Sequence, residues 1–297
     1  MGLLKKQEIK GNIYCLKTLE DGRLAAGDSY SNLIIYKDTF NPEIIIKNNL
    51  GQLCNFTQLK NKKIICSFSS DNTLKIINDI NNNNEDYNQK MKNAHDSFIT
   101  KITELKNENF ITFSNDCVFK IWKINNFNYY EKIYEFKDSY EISDGIEIKD
   151  NELVLYALNS NPQSLVFFNL NKKEKIKTLN DLNLFINWDG ERIIKLNNDE
   201  VAVAGDKKIY LIDINVFSIL HEIDTNCGNL CILKLSNFSF LIGDFDGTIS
   251  QFIIENKQIK KESYKNNSHG ECIVSMTILN DMLISASESK NEIKIWN

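Results

Sequence analysis

Histidine, the residue that enzymes use most often for acid–base catalysis, is scarce in the sequence. The chain contains three histidines, His95, His221 and His269, and none of them lies in a Cys–His or Asp–His cluster. The G-x-G-x-x-G and G-x-x-x-x-G-K-[ST] patterns of phosphate-binding loops are missing. A hydrolytic triad or a metal centre needs convergent side chains of these kinds. We therefore predict a protein that is not an enzyme, with no catalytic residue and no cofactor.

Cysteine is present but not in a pattern that binds metal or forms a disulfide framework. The chain has an odd number of cysteines, seven, and none forms a C-x-x-C pair. The closest pair, Cys227 and Cys231 in "CGNLC", has no second pair or histidine nearby. Most of the cysteines lie in apolar runs, so we expect small buried side chains in a reducing compartment. We predict no metal site.

The chain also lacks long apolar runs and a basic excess. No run approaches the roughly 20 apolar residues of a membrane-spanning helix, and "MGLLKKQEIKG" lacks the apolar core of a signal peptide. The net charge of -5 gives no general attraction to nucleic acid or to an anionic membrane. We expect a cytoplasmic protein, with a nuclear location also open, that is neither secreted nor membrane-spanning.

Proline and glycine are scarce, with 2 and 12 residues, and asparagine replaces them in many turns. The largest asparagine-rich segment, at 81–93, is predicted to be a surface loop whose role the sequence leaves open. Hydrophobic residues make up 42% and charged residues 25%, a composition typical of globular proteins.

Seven copies of a short strand are the main positive feature. The four-residue cores read "LIIY", "LKII", "FKIW", "LVFF", "IYLI", "ISQF" and "IKIW". By subtraction, their last residues lie 41, 45, 46, 44, 40 and 44 residues apart. These residues are Tyr36, Ile77, Trp122, Phe168, Ile212, Phe252 and Trp296. A period held this closely indicates a repeat architecture.

Each repeat has the same internal order. A strand ending in Leu or Ile is followed by a polar turn, a strand of small residues, a tight turn, the core strand and a more polar fourth strand. Four short strands per repeat, with turn signals at regular spacing, are typical of a propeller blade. The pattern predicts an all-β, seven-bladed β-propeller with four antiparallel strands per blade.

The third repeat carries the strongest resemblance to a known family. His95 precedes its first strand, Thr112 lies in the second, Asp116 in the tight turn and Trp122 in the third. This spacing resembles the structural tetrad of WD40 repeats, in which an imidazole links the turn carboxylate to a hydroxyl and an indole N–H. Repeat seven keeps His269, Ser285 and Trp296, and repeats two, five and six keep only a turn aspartate at Asp71, Asp206 and Asp246. Together the repeats resemble WD40 proteins along the whole chain.

We predict one domain, 1–297. The approximate blades are 11–48, 49–93, 94–137, 138–180, 185–224, 225–265, and 269–297 together with 3–9. The last repeat supplies only three strands, and the spare segment Leu3–Ile9 is predicted to pair with "EIKIW" at 292–296. That pairing closes the ring and removes an exposed sheet edge.

The resemblance implies that the loops at one mouth of the ring, its top face, bind partners. An aromatic and aliphatic group and an acidic group are expected there, and apolar anchors of this kind carry binding energy in interfaces. The candidate partner-binding residues are Tyr14, Phe98, Thr100, Asn115, Glu141, Trp188, Asp189, Glu191, Phe245 and Val274. Leu230 and Asp144 are expected to join the apolar and the acidic group.

We therefore interpret the chain as a scaffold or adaptor for other proteins or peptides, with basic residues and an apolar anchor in the partner. It is expected to act as a monomeric propeller inside a larger complex, without nucleic acid or membrane. Two alternatives stay open: an enzyme with its site in the central channel, and a nucleic-acid-binding propeller, for which lysine pairs recur at 61–63, 171–175 and 259–261. Compensating acids lie beside those lysines.

Overall fold

A computed structural model describes residues 2–8, 11–37, 41–70, 72–81, 89–125, 129–158, 163–184, 191–265, 268–287 and 291–297. The described residues form 28 strands in seven antiparallel sheets of four strands each, which we number by repeat. Within them there is no helix of the length and apolar character that a membrane crossing requires. Contacts divide the chain into two compact units. Unit one is Met1–Ser139, Thr277–Ala286 and Asn291–Asn297, and unit two is Tyr140–Met276 and Ser287–Lys290.

Sheets one, two and three belong to unit one. Sheet one contains β2 (Ile13–Thr18), β3 (Leu24–Asp28), β4 (Asn32–Tyr36) and β5 (Pro42–Lys47). Sheet two contains β6 (Leu53–Gln58), β7 (Ile64–Phe68), β8 (Thr73–Ile77) and β9 (Gln89–Met91). Sheet three contains β10 (Ile99–Glu104), β11 (Phe110–Ser114), β12 (Val118–Ile124) and β13 (Tyr130–Lys137). In each sheet the strands are neighbours in chain order, as four-strand repeats require.

Sheets four, five and six belong to unit two. Sheet four contains β14 (Glu141–Lys149), β15 (Glu152–Leu158), β16 (Ser164–Asn169) and β17 (Glu174–Leu179). Sheet five contains β18 (Ile193–Lys195), β19 (Glu200–Ala204), β20 (Lys208–Asp213) and β21 (Ser218–Asp224). Sheet six contains β22 (Asn229–Ser236), β23 (Ser239–Asp244), β24 (Ile249–Glu255) and β25 (Gln258–Lys265).

Sheet seven joins the two ends of the chain. It contains β26 (Ile273–Leu279), β27 (Met282–Ser287) and β28 (Glu292–Trp296), with β1 (Leu3–Glu8) as the fourth strand. Leu3 pairs with Trp296 and Glu8 with Glu292, in antiparallel register. The predicted pairing of the N-terminal segment with the C-terminal strand is confirmed.

The hydrophobic core lies between neighbouring sheets. In unit one, for example, Leu33 and Ile35 of sheet one pack with Phe56 and Cys66 of sheet two. In unit two, Phe167 of sheet four packs with residues of sheet five. The second strand is fully buried in sheets one, two, three and five, which explains its small and apolar residues. Within each unit, these neighbouring sheets bury their apolar faces against each other.

A polar contact between sheets recurs at one repeat position, directly before an apolar residue at the end of the first strand or just after it. In unit one the side chains accept from backbone N–H groups of the preceding sheet: Gln58 Oε1 from Glu20 (2.8 Å) and Glu104 Oε1 from Lys60 (2.9 Å). In unit two the residues are lysines, and they donate to backbone carbonyls: Lys195 to Ile148 and Lys234 to Leu196. The side chain is therefore an acceptor where the neighbouring sheet presents a backbone N–H, and a donor where it presents a carbonyl.

Candidate protein-interaction surface

The four tetrad residues of sheet three form one continuous hydrogen-bonded chain. His95 Nδ1 lies 2.9 Å from Asp116 Oδ2, and His95 Nε2 lies 2.7 Å from Thr112 Oγ1. The Trp122 indole N–H donates to the same Thr112 oxygen across 2.8 Å. The ring of Trp122 stacks on Phe110 with centroids 6.4 Å apart. Each buried polar atom of this group thus has a partner.

Burial and hydrogen bonds together set the protonation of the tetrad. It lowers the pKa of His95, although the hydrogen bond to Asp116 opposes that shift. For Asp116, burial alone would raise the pKa, but hydrogen bonds from His95 and from the backbone N–H groups of Asp96 and Val118 bring it below its ordinary value. A neutral imidazole beside an ionised carboxylate donates through Nδ1, so Nε2 accepts the Thr112 proton. The ring is therefore a structural link with both nitrogens occupied.

The other tetrad-type positions are only partly assembled. Trp296 donates its indole N–H to Ser285 Oγ across 2.8 Å, and His269 is buried. Asp206 is half-buried, and its backbone exchanges hydrogen bonds with Asn183. Asp246 is exposed. Asp71 lies outside the described residues.

A carboxylate two residues earlier takes over the capping role in two sheets, which sequence reasoning missed. Asp28 accepts from the backbone N–H groups of Tyr30 and Asn32, and Asp244 from those of Asp246 and Thr248. The signal was available, because "GDSYSN" and "GDFDGT" both place an aspartate directly after the glycine of the second strand.

In four sheets, a backbone hydrogen bond joins the loop before the first strand to the turn before the third strand, and these segments carry several of the candidate residues. In sheet three the Asn115 N–H donates to the Phe98 carbonyl (3.1 Å), and in sheet six the Phe245 N–H donates to the Gly228 carbonyl (3.0 Å). Sheets one and two repeat the bond with Ser29 to Asn12 and Ser69 to Gln52. The loop before the first strand and the turn before the third strand are thus fixed to each other.

Two aromatic candidates protrude from these loops. Phe98 is 40% exposed and Phe245 is 54% exposed. An exposed carboxylate accompanies each of them: Asp96 two residues before Phe98, and Asp246 directly after Phe245. Tyr14 and Thr100 are half-buried, and the Thr100 hydroxyl donates to the Phe113 carbonyl. Each loop pair therefore presents an apolar ring beside a negative charge.

The acidic group is smaller than expected. Glu141 and Glu191 are half-buried, and Trp188 and Asp189 lie outside the described residues. Asp144 is buried at 1% exposure and accepts from the backbone N–H groups of Gly145, Arg192 and Ile193. The expectation that Asp144 lies on the surface is wrong, because its carboxylate caps backbone groups between sheets four and five.

The apolar group also loses members. Val274 is 2% exposed and Leu230 is 1% exposed, so neither side chain is available to a partner at the surface. Both sit at the start of a first strand, where the core between sheets continues further than the repeat pattern suggests. Phe98 and Phe245 remain the exposed apolar candidates of the predicted set.

Burial protects three of the seven cysteines from reaction. Cys15, Cys66 and Cys231 are buried, and burial raises their pKa values, to about 12 for Cys66. A buried protonated thiol is a poor nucleophile and a poor metal ligand. The described part of the chain contains no group of three or more His, Cys, Asp or Glu side chains that could hold a metal ion.

Comparisons with known proteins agree with the repeat structure. No family model matches the sequence, and no curated protein matches it either. Among solved structures, a chain of the mitotic checkpoint complex is similar with a TM-score of 0.83 and 11% identity, over 100% of this chain and 94% of that chain. The WD40 β-propeller domain of Doa1 is similar with a TM-score of 0.79 and 14% identity, over 99% of this chain and 96% of that chain. The chain therefore has the seven-bladed WD40-type β-propeller fold, as its repeat period predicts.

Proposed function

We propose that the protein is a non-enzymatic interaction scaffold whose candidate loops bind other proteins or peptides. The observation that carries the proposal is the fixed presentation of Phe98 and Phe245. Each protrudes from a loop pair that a backbone hydrogen bond holds in place. Because little entropy is lost when a rigid surface binds, a few exposed aromatic anchors can supply most of the affinity.

The charge near these anchors supports a partner of a particular chemistry. Asp96 and Asp246 add negative charge beside the two rings, and the whole chain carries a net charge of -5. A segment with a lysine or arginine next to an apolar side chain complements this surface in both respects. Glu141 and Glu191 supply further carboxylates of the same sign in unit two.

The similar structures add support at the level of architecture. One of them is a chain of a multi-protein assembly, the mitotic checkpoint complex, and the other is a propeller domain of Doa1. We propose that this chain is likewise a subunit of a larger complex, in the cytoplasm or the nucleus. Fold alone does not identify a partner, so the proposal rests on the loops.

The test compares proteins captured from source cells by the tagged chain and by two variants, Phe98→Ala and Phe245→Ala. We expect each variant to lose specific partners by about tenfold or more, the effect of removing one hot-spot anchor. Phe238→Ala is the matched control, because Phe238 is 60% exposed but lies in the turn between the first two strands of sheet six. An identical set of partners for all variants would rule out these loops.

A further inference from the structure

Sheet six contains a copy of the histidine site of sheet three without its histidine. The register is the same in both: Ile232 pairs with Ile242 as Ile102 pairs with Thr112, and Phe240 pairs with Phe252 as Phe110 pairs with Trp122. Thr225 lies four residues before β22, as His95 lies four residues before β10. The positions of His95, Thr112, Asp116 and Trp122 are therefore held by Thr225, Ile242, Asp246 and Phe252.

A cavity of about 310 Å³ occupies this place. Its lining includes Thr225, Asp244, Asp246, Ser250, Phe252 and Lys261, all from unit two. In sheet three the equivalent space is filled by the imidazole of His95, which reaches from the loop to the middle strands. Replacing histidine by threonine leaves room for one ring of that size.

The aromatic wall of the site is preserved. Phe240 and Phe252 stack with centroids 5.6 Å apart and an interplanar angle of 16°. Phe110 and Trp122 stack in sheet three at 6.4 Å and 15°. Phe252 of this pair lines the cavity, so a flat ring that enters it can contact an aromatic side chain.

One polar side chain in the cavity lacks a partner among the described residues. Ser250 is 6% exposed, and its hydroxyl forms no hydrogen bond to any part of the chain that the structure describes. Lys120 holds the equivalent position and donates to the Ala94 carbonyl (2.7 Å). Because Ser250 lines the cavity and solvent reaches its oxygen, the hydroxyl can donate to or accept from a ligand there.

The charges around the cavity favour a cationic occupant. Asp244 and Asp246 carry two carboxylates, and Lys261 supplies one ammonium. Burial, together with Asp246, raises the pKa of Asp244 to about 6, although the Thr248 N–H and Lys261 oppose the shift. Cys227 adds a thiol that hydrogen-bonds Asp246 and whose pKa is raised, first by burial and then by that bond. A positive group placed here would stabilise the ionised carboxylates.

We propose that this cavity binds an imidazole group, held between Phe252 and the loop of Thr225. One ring N–H donates to the Asp246 carboxylate, as His95 donates to Asp116, and the other donates to the Ser250 hydroxyl. The group is a small imidazole compound or the histidine side chain of a partner protein. Imidazole binding is independent of the scaffold function, because it requires neither Phe98 nor a partner.

The test titrates imidazole into the ¹⁵N-labelled full-length protein at pH 7 and follows the backbone amides by NMR. We expect saturable shifts confined to residues around the cavity, such as Thr225, Asp246 and Ser250. Asp246→Asn should weaken the affinity about tenfold, the effect of losing one charged hydrogen bond. Thr225→His should abolish binding, since it supplies the ring from within.

Asp206→Asn is the matched control, because Asp206 is a turn aspartate of sheet five that does not line the cavity. Its affinity should equal that of the wild type. If Thr225→His does not fold, the exposed Asp246 still provides the decisive variant. Non-saturable shifts spread over the surface, or equal affinity for wild type and Asp246→Asn, would overturn the site.

A second titration with N-acetyl-histidine methylamide separates the two sources of the ring. Tighter binding of this peptide than of imidazole assigns the site to a histidine of a partner protein. Binding of imidazole alone assigns it to a free small molecule.

Discussion

The Trp122 indole N–H donates to the Thr112 hydroxyl, and the same oxygen bonds the His95 ring. The Thr112 hydroxyl is thus the shared hydrogen-bond partner of the His95 imidazole and the Trp122 indole. Replacing Thr112 by an isosteric apolar residue leaves an indole N–H and an imidazole nitrogen buried without partners. Such a loss costs more than the bonds themselves contribute, because both groups remain desolvated.

Thr112→Val should therefore lower the free energy of unfolding by about 2–4 kcal/mol. Chemical denaturation followed by tryptophan fluorescence measures the change. Thr100→Val is the control, since Thr100 lies in the same sheet and its hydroxyl donates to the Phe113 carbonyl (3.2 Å), which lies outside the tetrad. Its cost should stay below about 1 kcal/mol. Equal losses for both variants would contradict the central role of Thr112.

Protonation of His95 should destabilise the fold in mild acid. Burial lowers the pKa of His95 in the folded state, so the unfolded chain binds the proton more readily. Above the unfolded pKa of about 6.5 both states are neutral and this group has no effect. As the pH falls below that value, stability is lost until the folded-state pKa is reached.

The midpoint of urea unfolding, measured between pH 7.5 and 5, should therefore fall with pH. The fall should be smaller in His95→Gln, which is less stable but has no imidazole to titrate at this position. A His95→Gln variant with the full slope of the wild type would assign the pH dependence to other groups.

Titration of Asp244 should have the opposite effect on stability, which it lowers as the pH rises. Its folded-state pKa of about 6 is above the ordinary value of 3.8, so its contribution is fully present below pH 3.8 and is lost as the pH rises through 6. Asp244→Asn keeps the oxygen that accepts from Thr248 and removes the charge. At pH 7 we expect a gain of about 1 kcal/mol, reduced for the partial exposure of the group. Thermal melts at pH 7 and pH 4 test this, and a gain of the same size at both values would be inconsistent with titration of Asp244.

The polar contact between sheets two and three should depend on whether the side chain of residue 104 accepts or donates a hydrogen bond. Glu104 accepts from the Lys60 backbone N–H. Glu104→Gln retains an acceptor and should leave the free energy of unfolding almost unchanged. Glu104→Lys places an ammonium donor next to the Lys60 N–H, which is also a donor. We expect a loss of about 1 kcal/mol for the lysine variant. Similar stability of the two variants in urea unfolding would show that the contact contributes nothing.

The architecture could be predicted from the sequence because the same four-strand pattern occurs seven times. A period near 43 residues survives the loss of individual motifs, and the spacing of His95, Thr112, Asp116 and Trp122 locates a complete tetrad. The pairing of the N-terminal strand was predictable for a similar reason. The last repeat supplies three strands, and the segment before the first repeat is the one strand not assigned to any blade.

The surface was harder to predict because burial depends on neighbouring sheets. Val274 has the same repeat position as the half-buried Thr100, yet it is covered. Asp144 was expected in solvent but caps backbone groups of the next sheet. The cavity of sheet six has no sequence signature, since Thr225 belongs to no motif and only the strand register makes it equivalent to His95.

The pairing of β1 with β28 is the contact that most directly tests the account. Besides the strand register, the Gly2 N–H donates to Asn297 Oδ1 (2.7 Å), and Lys6 pairs with the buried Glu292 (2.7 Å). Deleting residues 1–10 exposes the edge of β28 and leaves Glu292 with less compensation.

The decisive measurement is the thermal and urea unfolding of the deletion variant beside the wild type and Leu4→Ser, an exposed change that keeps the strand. We predict that the deletion costs about 3 kcal/mol or more, while Leu4→Ser stays within about 0.5 kcal/mol of the wild type. A deletion variant that unfolds at the same temperature and urea concentration as the full chain would contradict closure by the N-terminal strand.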